Sequence, residues 1–101
     1  MKAKTLVVLL HEGMFVDDKP LFKLIVEKFK EAGMPGVSVF KGIMGYGRHK
    51  GLSYIDPFHG HGDDPIMVIM VGSEEQVEKG AKIVKSLKED LLVIVFDVEI
   101  I

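Results

Sequence analysis

Two stretches of this sequence gather side chains capable of chemistry. The first reads Gly42-Ile43-Met44-Gly45-Tyr46-Gly47-Arg48-His49-Lys50-Gly51. Glycines permit positive φ and close backbone approach. Their N–H groups, beside the Arg48 and Lys50 cations, suit an anion such as phosphate. The stretch lacks the Walker spacing and does not lead into a helix. From spacing alone it therefore reads first as a flexible loop with solvated charges.

The second stretch is His59-Gly60-His61-Gly62-Asp63-Asp64. Imidazoles and carboxylates this close suit a divalent metal such as zinc, copper or nickel. His59, His61 and Asp63 are the candidate ligands, with Asp64 beside them. A catalytic metal takes three protein ligands and keeps a place for substrate, usually from several elements. The only other histidines are His49 and His11. The alternative reading is a polar loop tip. His11 closes an apolar run and reads as a structural histidine. There is no Ser-His-Asp set and no defensible carboxylate pair. With no cysteine there is no thiol nucleophile, thiolate zinc site or disulfide. No enzymatic activity is expected.

Both stretches fall in one segment, about 41–64, without helical or strand periodicity. It holds six of the eleven glycines and three of the four histidines, so it is the place to expect function. The elements that must hold it form two similar halves. Residues 5–10 are a short apolar run and read as a buried strand. Asp17 and Asp18 read as capping carboxylates and Pro20 as the first-turn proline of a helix. Leu21, Ile25, Phe29 and Ala32 then recur at helical spacing, and Gly33 is a natural C-cap. Residues 37–40 are a second strand.

The second half repeats the plan with a strand opening at Pro65 and broken at Gly72. Ser73 and Gln76 form a capping box for a helix to about Lys88, and residues 91–99 make the last strand. Strand-helix-strand twice, with right-handed crossovers, predicts an α+β ferredoxin-like βαββαβ sandwich. One domain over 1–101 is expected, with a flexible loop about 41–64 between strands 2 and 3.

Composition narrows the function further. A chain that is 48% hydrophobic and 28% charged, with four prolines, is not intrinsically disordered. No apolar run nears the length of a membrane span, and no signal peptide or membrane insertion is expected. The net charge of −2 argues against a dedicated nucleic-acid binder. That charge averages +4 over residues 1–50 and −6 over 51–101. Three of the four strands are apolar at nearly every position, which implies burial of both sheet faces. Two helices cover only one face, so the expected solution is a closed oligomer with the sheets facing inwards.

The layout resembles the PII signalling fold. Gly45-Tyr46-Gly47-Arg48-His49-Lys50-Gly51 is similar to the start of the PII T-loop. Lys19-Pro20-Leu21, Glu31-Ala32-Gly33, Gly42-Ile43-Met44-Gly45-Tyr46-Gly47 and Val98-Glu99-Ile100-Ile101 resemble the PII-like family known as domain of unknown function 190. The resemblance spans nearly the whole chain. It implies a homotrimer that binds an adenine nucleotide, AMP, ADP or ATP, in clefts between subunits, with no obligatory cofactor. Carried over, Gly45 and Gly47 would offer N–H groups and Arg48 would contact phosphate. His49 stands where PII has a glutamine at the magnesium–phosphate end, and Lys50 adds a cation. PII's glycine-rich phosphate loop before strand 4 and its basic segment after that strand have no counterpart here. AMP or ADP thus fits better than ATP. The resemblance also implies a cytoplasmic regulator whose 41–64 loop engages a protein target, a membrane transporter or a metabolic protein. Tyr54 does not match the PII modification site. The rival readings are a trimer binding a divalent metal through His59, His61 and Asp63, as in the copper-tolerance-like branch of the fold, and a structural partner-docking trimer.

Overall fold

In the computed structural model the opening apolar run becomes the ten-residue strand β1 (Lys2–His11). The structure describes residues 1–47, 50–54 and 64–101. A small hairpin of β2 (Phe15–Val16) and β3 (Lys19–Pro20) follows, then helix α1 (Leu21–Glu31) and strand β4 (Ser38–Lys41). Next come β5 (Met44–Gly47), β6 (Lys50–Tyr54), β7 (Pro65–Gly72), helix α2 (Glu74–Leu87) and β8 (Leu92–Glu99). The main sheet has the order β4-β7-β1-β8 with every neighbour antiparallel. This is the expected ferredoxin-like arrangement, its two central strands being the first of each half.

Alternation sorts the sheet into two faces. Leu6, Val8 and Leu10 of β1 lie opposite Met70, Val68 and Ile66 of β7. These six are buried with Leu21, Ile25 and Phe29 of α1 and Val77 and Val84 of α2. Gly80 lets α2 come close: a Cβ there would lie 3.1 Å from Met70 Cε and 3.4 Å from a ring carbon of Phe29. The helix accepts a glycine in its interior, worth about 1 kcal/mol against alanine, in return for that approach.

The other face carries Val7 and Leu9 of β1, Ile69 and Val71 of β7, and Leu92, Ile94 and Phe96 of β8. Both helices pack on the opposite side. Leu9, Val71, Leu92, Ile94 and Phe96 each remain 40–51% exposed, and Phe40 of β4 reaches 54%. A contiguous apolar sheet face is therefore present, as the strand composition implied.

Local signals decide the helix ends. The Ser73 hydroxyl accepts from the Gln76 N–H, and the Gln76 side chain accepts from the Ser73 N–H, completing the capping box. Gly33, with φ of 77°, ends α1 in the left-handed region. The start of α1 differs from expectation. Its N-cap is Pro20, with no side-chain cap, and the Leu21 N–H donates instead to the Met14 carbonyl at 2.8 Å. Asp17 and Asp18 have φ of 50° and 66° and form the two-residue turn of the β2–β3 hairpin. Aspartate tolerates positive φ better than most residues, which is why the same side chain serves turns as well as caps. The 41–64 segment also departs from a structureless loop, since β5 and β6 pair within it from Met44↔Tyr54 to Gly47↔Lys50.

Candidate functional site

The two ends of the 41–64 segment are fastened to the start of β7 and to the residue that follows β1. Gly42 N–H donates to the Pro65 carbonyl at 2.7 Å, and Glu12 N–H donates to the Asp64 carbonyl at 2.9 Å. Glycine is required for the first contact, because a Cβ at position 42 would lie 2.8 Å from Pro65 Cγ. A side-chain cluster spans the same three segments. Lys41 Nζ stands 3.2 Å from Glu12 Oε2 and 3.4 Å from Asp64 Oδ2. Both distances exceed the ~2.7–2.9 Å of a strong charge-assisted hydrogen bond, so these are ion pairs. Glu12, then Asp64, hold the Lys41 ammonium above its ordinary pKa against the opposing effect of desolvation.

Asp64 is completely buried. Among the described residues neither of its carboxylate oxygens has a hydrogen-bond partner, nor does Glu12 Oε1. Two carboxylates face one ammonium, so the cluster carries a net charge of −1 among the described residues.

His11 and Pro65, the chain neighbours of Glu12 and Asp64, line a hollow of about 380 Å³, a size that suits a small organic ligand. Leu9, Met14 and Leu92 give it an apolar floor, Gly45 and Tyr46 form a wall, and His11 and Asp90 bring polarity. Asp90 is paired with Lys88 at 3.1 Å. Tyr46 is 82% exposed.

A wider depression of about 640 Å³ lies at the other end of β1 and β8, lined by Lys2, Lys4, Glu74, Asp97 and Glu99. Its charges are largely satisfied within the chain. Lys4 Nζ sits 2.7 Å from Asp97 and 3.9 Å from Glu74, and the N-terminal ammonium 2.7 Å from Glu99. The hydrogen bond from Lys4 lowers the Asp97 pKa, and Asp97 raises that of Lys4. This is a solvated charge network, and the hollow by the loop is the stronger candidate despite its smaller volume.

Of the sequence-derived site residues, Gly45 lines this hollow. Gly47 and Lys50 are paired across the β5–β6 hairpin. Arg48, His49, His59, His61 and Asp63 lie outside the described residues. Among the described residues no three His, Asp or Glu side chains gather as a metal-binding group. Sequence reasoning did not foresee the Glu12–Lys41–Asp64 cluster. The one signal for it is that each charge lies at or next to a strand end, where chain segments converge.

The family described as DUF190, Uncharacterized ACR, matches residues 3–100. A UPF0166 protein of Aquifex aeolicus (strain VF5) is 31% identical over 101 residues, covering 100% of this chain and 95% of that protein. A UPF0166 protein of Methanocaldococcus jannaschii is 32% identical over 98 residues, covering 96% of this chain and 90% of that protein. Among solved structures, the chain is similar to CPII, a nitrogen regulatory PII-like protein from Thiomonas intermedia K12 bound to ADP, AMP and bicarbonate. The TM-score is 0.75 at 20% identity, covering 99% of this chain and 89% of that one. At that identity the likeness establishes a PII-like fold.

Proposed function

The chain belongs to the DUF190 family, and from that premise we propose that it is a non-enzymatic, cytoplasmic PII-like regulator that binds an adenine nucleotide. The observation that carries the reading is the hollow at the loop base. It is walled by Gly45 and Tyr46 of the glycine-rich stretch that continues directly into Arg48. Its apolar floor suits a nucleobase. Gly45 and Gly47 supply backbone N–H groups, while Arg48, His49 and Lys50 serve the phosphate end. The binding of ADP and AMP by CPII supports the same ligand class.

The acting unit is a homotrimer. The uncovered sheet face, with Leu9, Val71, Leu92, Ile94 and Phe96 partly exposed, supports inward packing of three sheets. The nucleotide then sits between neighbouring subunits, and the state of the 41–64 loop signals its presence to a target protein. A ligand shifts such an equilibrium only by contacting one state better than the other, which the glycine-rich stretch is placed to do.

Isothermal titration with AMP, ADP and ATP tests the assignment. The expected result is saturable heat with AMP or ADP, lost or strongly weakened in Arg48→Ala. Absence of heat with all three nucleotides overturns it.

A further inference from the structure

Glu12, Lys41 and Asp64 set two carboxylates against one ammonium beside the hollow. We infer that the surplus negative charge of this cluster limits how many phosphates the site accepts, making Glu12 and Asp64 determinants of specificity for the less charged nucleotides. The inference rests on the nucleotide reading above.

Position supports it. Glu12 directly follows His11, and Asp64 directly precedes Pro65; both His11 and Pro65 line the hollow. Asp64 is completely buried and the Glu12 side chain is only 25% exposed, so water screens these charges poorly. Lys41 is 45% exposed and is shared between them. Asp90, also on the hollow, is matched by Lys88 and leaves the balance unchanged. Three carboxylate oxygens in the cluster accept no hydrogen bond among the described residues. These oxygens are buried, so neither water nor a hydrogen bond offsets them among the described residues, and further anionic charge nearby is disfavoured.

Each added phosphate brings about one negative charge at neutral pH. Charges separated by roughly a Debye length, about 8–10 Å at moderate salt, still change affinity several-fold when partly shielded from water. The cluster therefore penalises ATP more than AMP. A purely structural role would weaken or strengthen both nucleotides alike.

The experiment measures AMP and ATP affinities at low salt, without divalent cations, for the wild type, Glu12→Gln and Lys41→Gln. Glu12→Gln is expected to raise ATP affinity relative to AMP by roughly threefold or more, and Lys41→Gln to lower it. High salt should shrink both changes. An ATP-to-AMP ratio in Glu12→Gln equal to that of the wild type overturns the inference while leaving the nucleotide reading intact. Failure of the wild type to bind either nucleotide overturns that reading itself. Melting curves accompany both variants, and Glu12→Gln alone decides if Lys41→Gln does not fold.

Discussion

Replacing Ile94 by aspartate places a charge on the uncovered sheet face, at mid-length of the edge strand β8. Ile94 lies on β8 opposite Val7 and is already 42% exposed in the single chain. Full burial of an isoleucine is worth about 1.5–3 kcal/mol, so losing the buried part of this side chain costs each chain about 1–2 kcal/mol of folding stability. That is small against the ~5–15 kcal/mol of a typical domain, and the carboxylate still reaches water. In a trimer with its sheets turned inwards the outcome is different. Each carboxylate loses its water without gaining a partner, at several kcal/mol apiece, or on the order of 10 kcal/mol per assembly. Ile94→Asp should therefore remain folded but dissociate. Light scattering after size-exclusion chromatography reads the mass, and circular dichroism reads the fold. The expected outcome is a monomer with near-native ellipticity, against a wild-type trimer. An Ile94→Asp protein that elutes at the wild-type oligomeric mass, or a wild type that is itself monomeric, would refute the reasoning.

Other substitutions probe the remaining links. Ser73→Ala removes half of the capping box and should cost about 1 kcal/mol in chemical denaturation, with little effect on nucleotide affinity. Gly42→Ala drives a methyl group to 2.8 Å from Pro65 Cγ, and the displaced loop base should cost about 1–3 kcal/mol and weaken ligand binding. Lys4 holds the Asp97 pKa below its ordinary value of 3.8, so the pair stabilises the fold above that pH and loses its effect as the pH falls through the lowered value. The difference in Tm between wild type and Asp97→Asn should thus be present at neutral pH, modest because Asp97 is exposed, and should vanish in strong acid.

Different parts of this molecule were legible in the sequence to different degrees, for physical reasons. The strands of the main sheet announced themselves because β1 and β7 are apolar on both faces, which leaves uninterrupted apolar runs. The Ser73–Gln76 box was readable because its hydrogen bonds join residues three apart. Asp17 and Asp18 were misleading because a short carboxylate serves a helix cap and a positive-φ turn equally well, and only the pairing of Phe15 with Pro20 decides between them. The β5–β6 hairpin escaped notice because alternate glycines, at 45 and 47, erase the side-chain periodicity that marks a strand. Of the glycine-rich stretch, Gly45 and Tyr46 line the hollow, while Arg48 and His49 lie outside the described residues. The Glu12–Lys41–Asp64 cluster had no comparable signature. Its members come from three separate segments and meet only once the order β4-β7-β1-β8 has brought those segments together.

The central claim is a trimer whose inter-subunit sites hold an adenine nucleotide. Native mass spectrometry with and without AMP tests both halves at once. The expected species is an assembly of three 11.2 kDa chains that takes up as many as three AMP molecules. A single chain, or a trimer whose mass is unchanged by AMP, ADP and ATP alike, would contradict it.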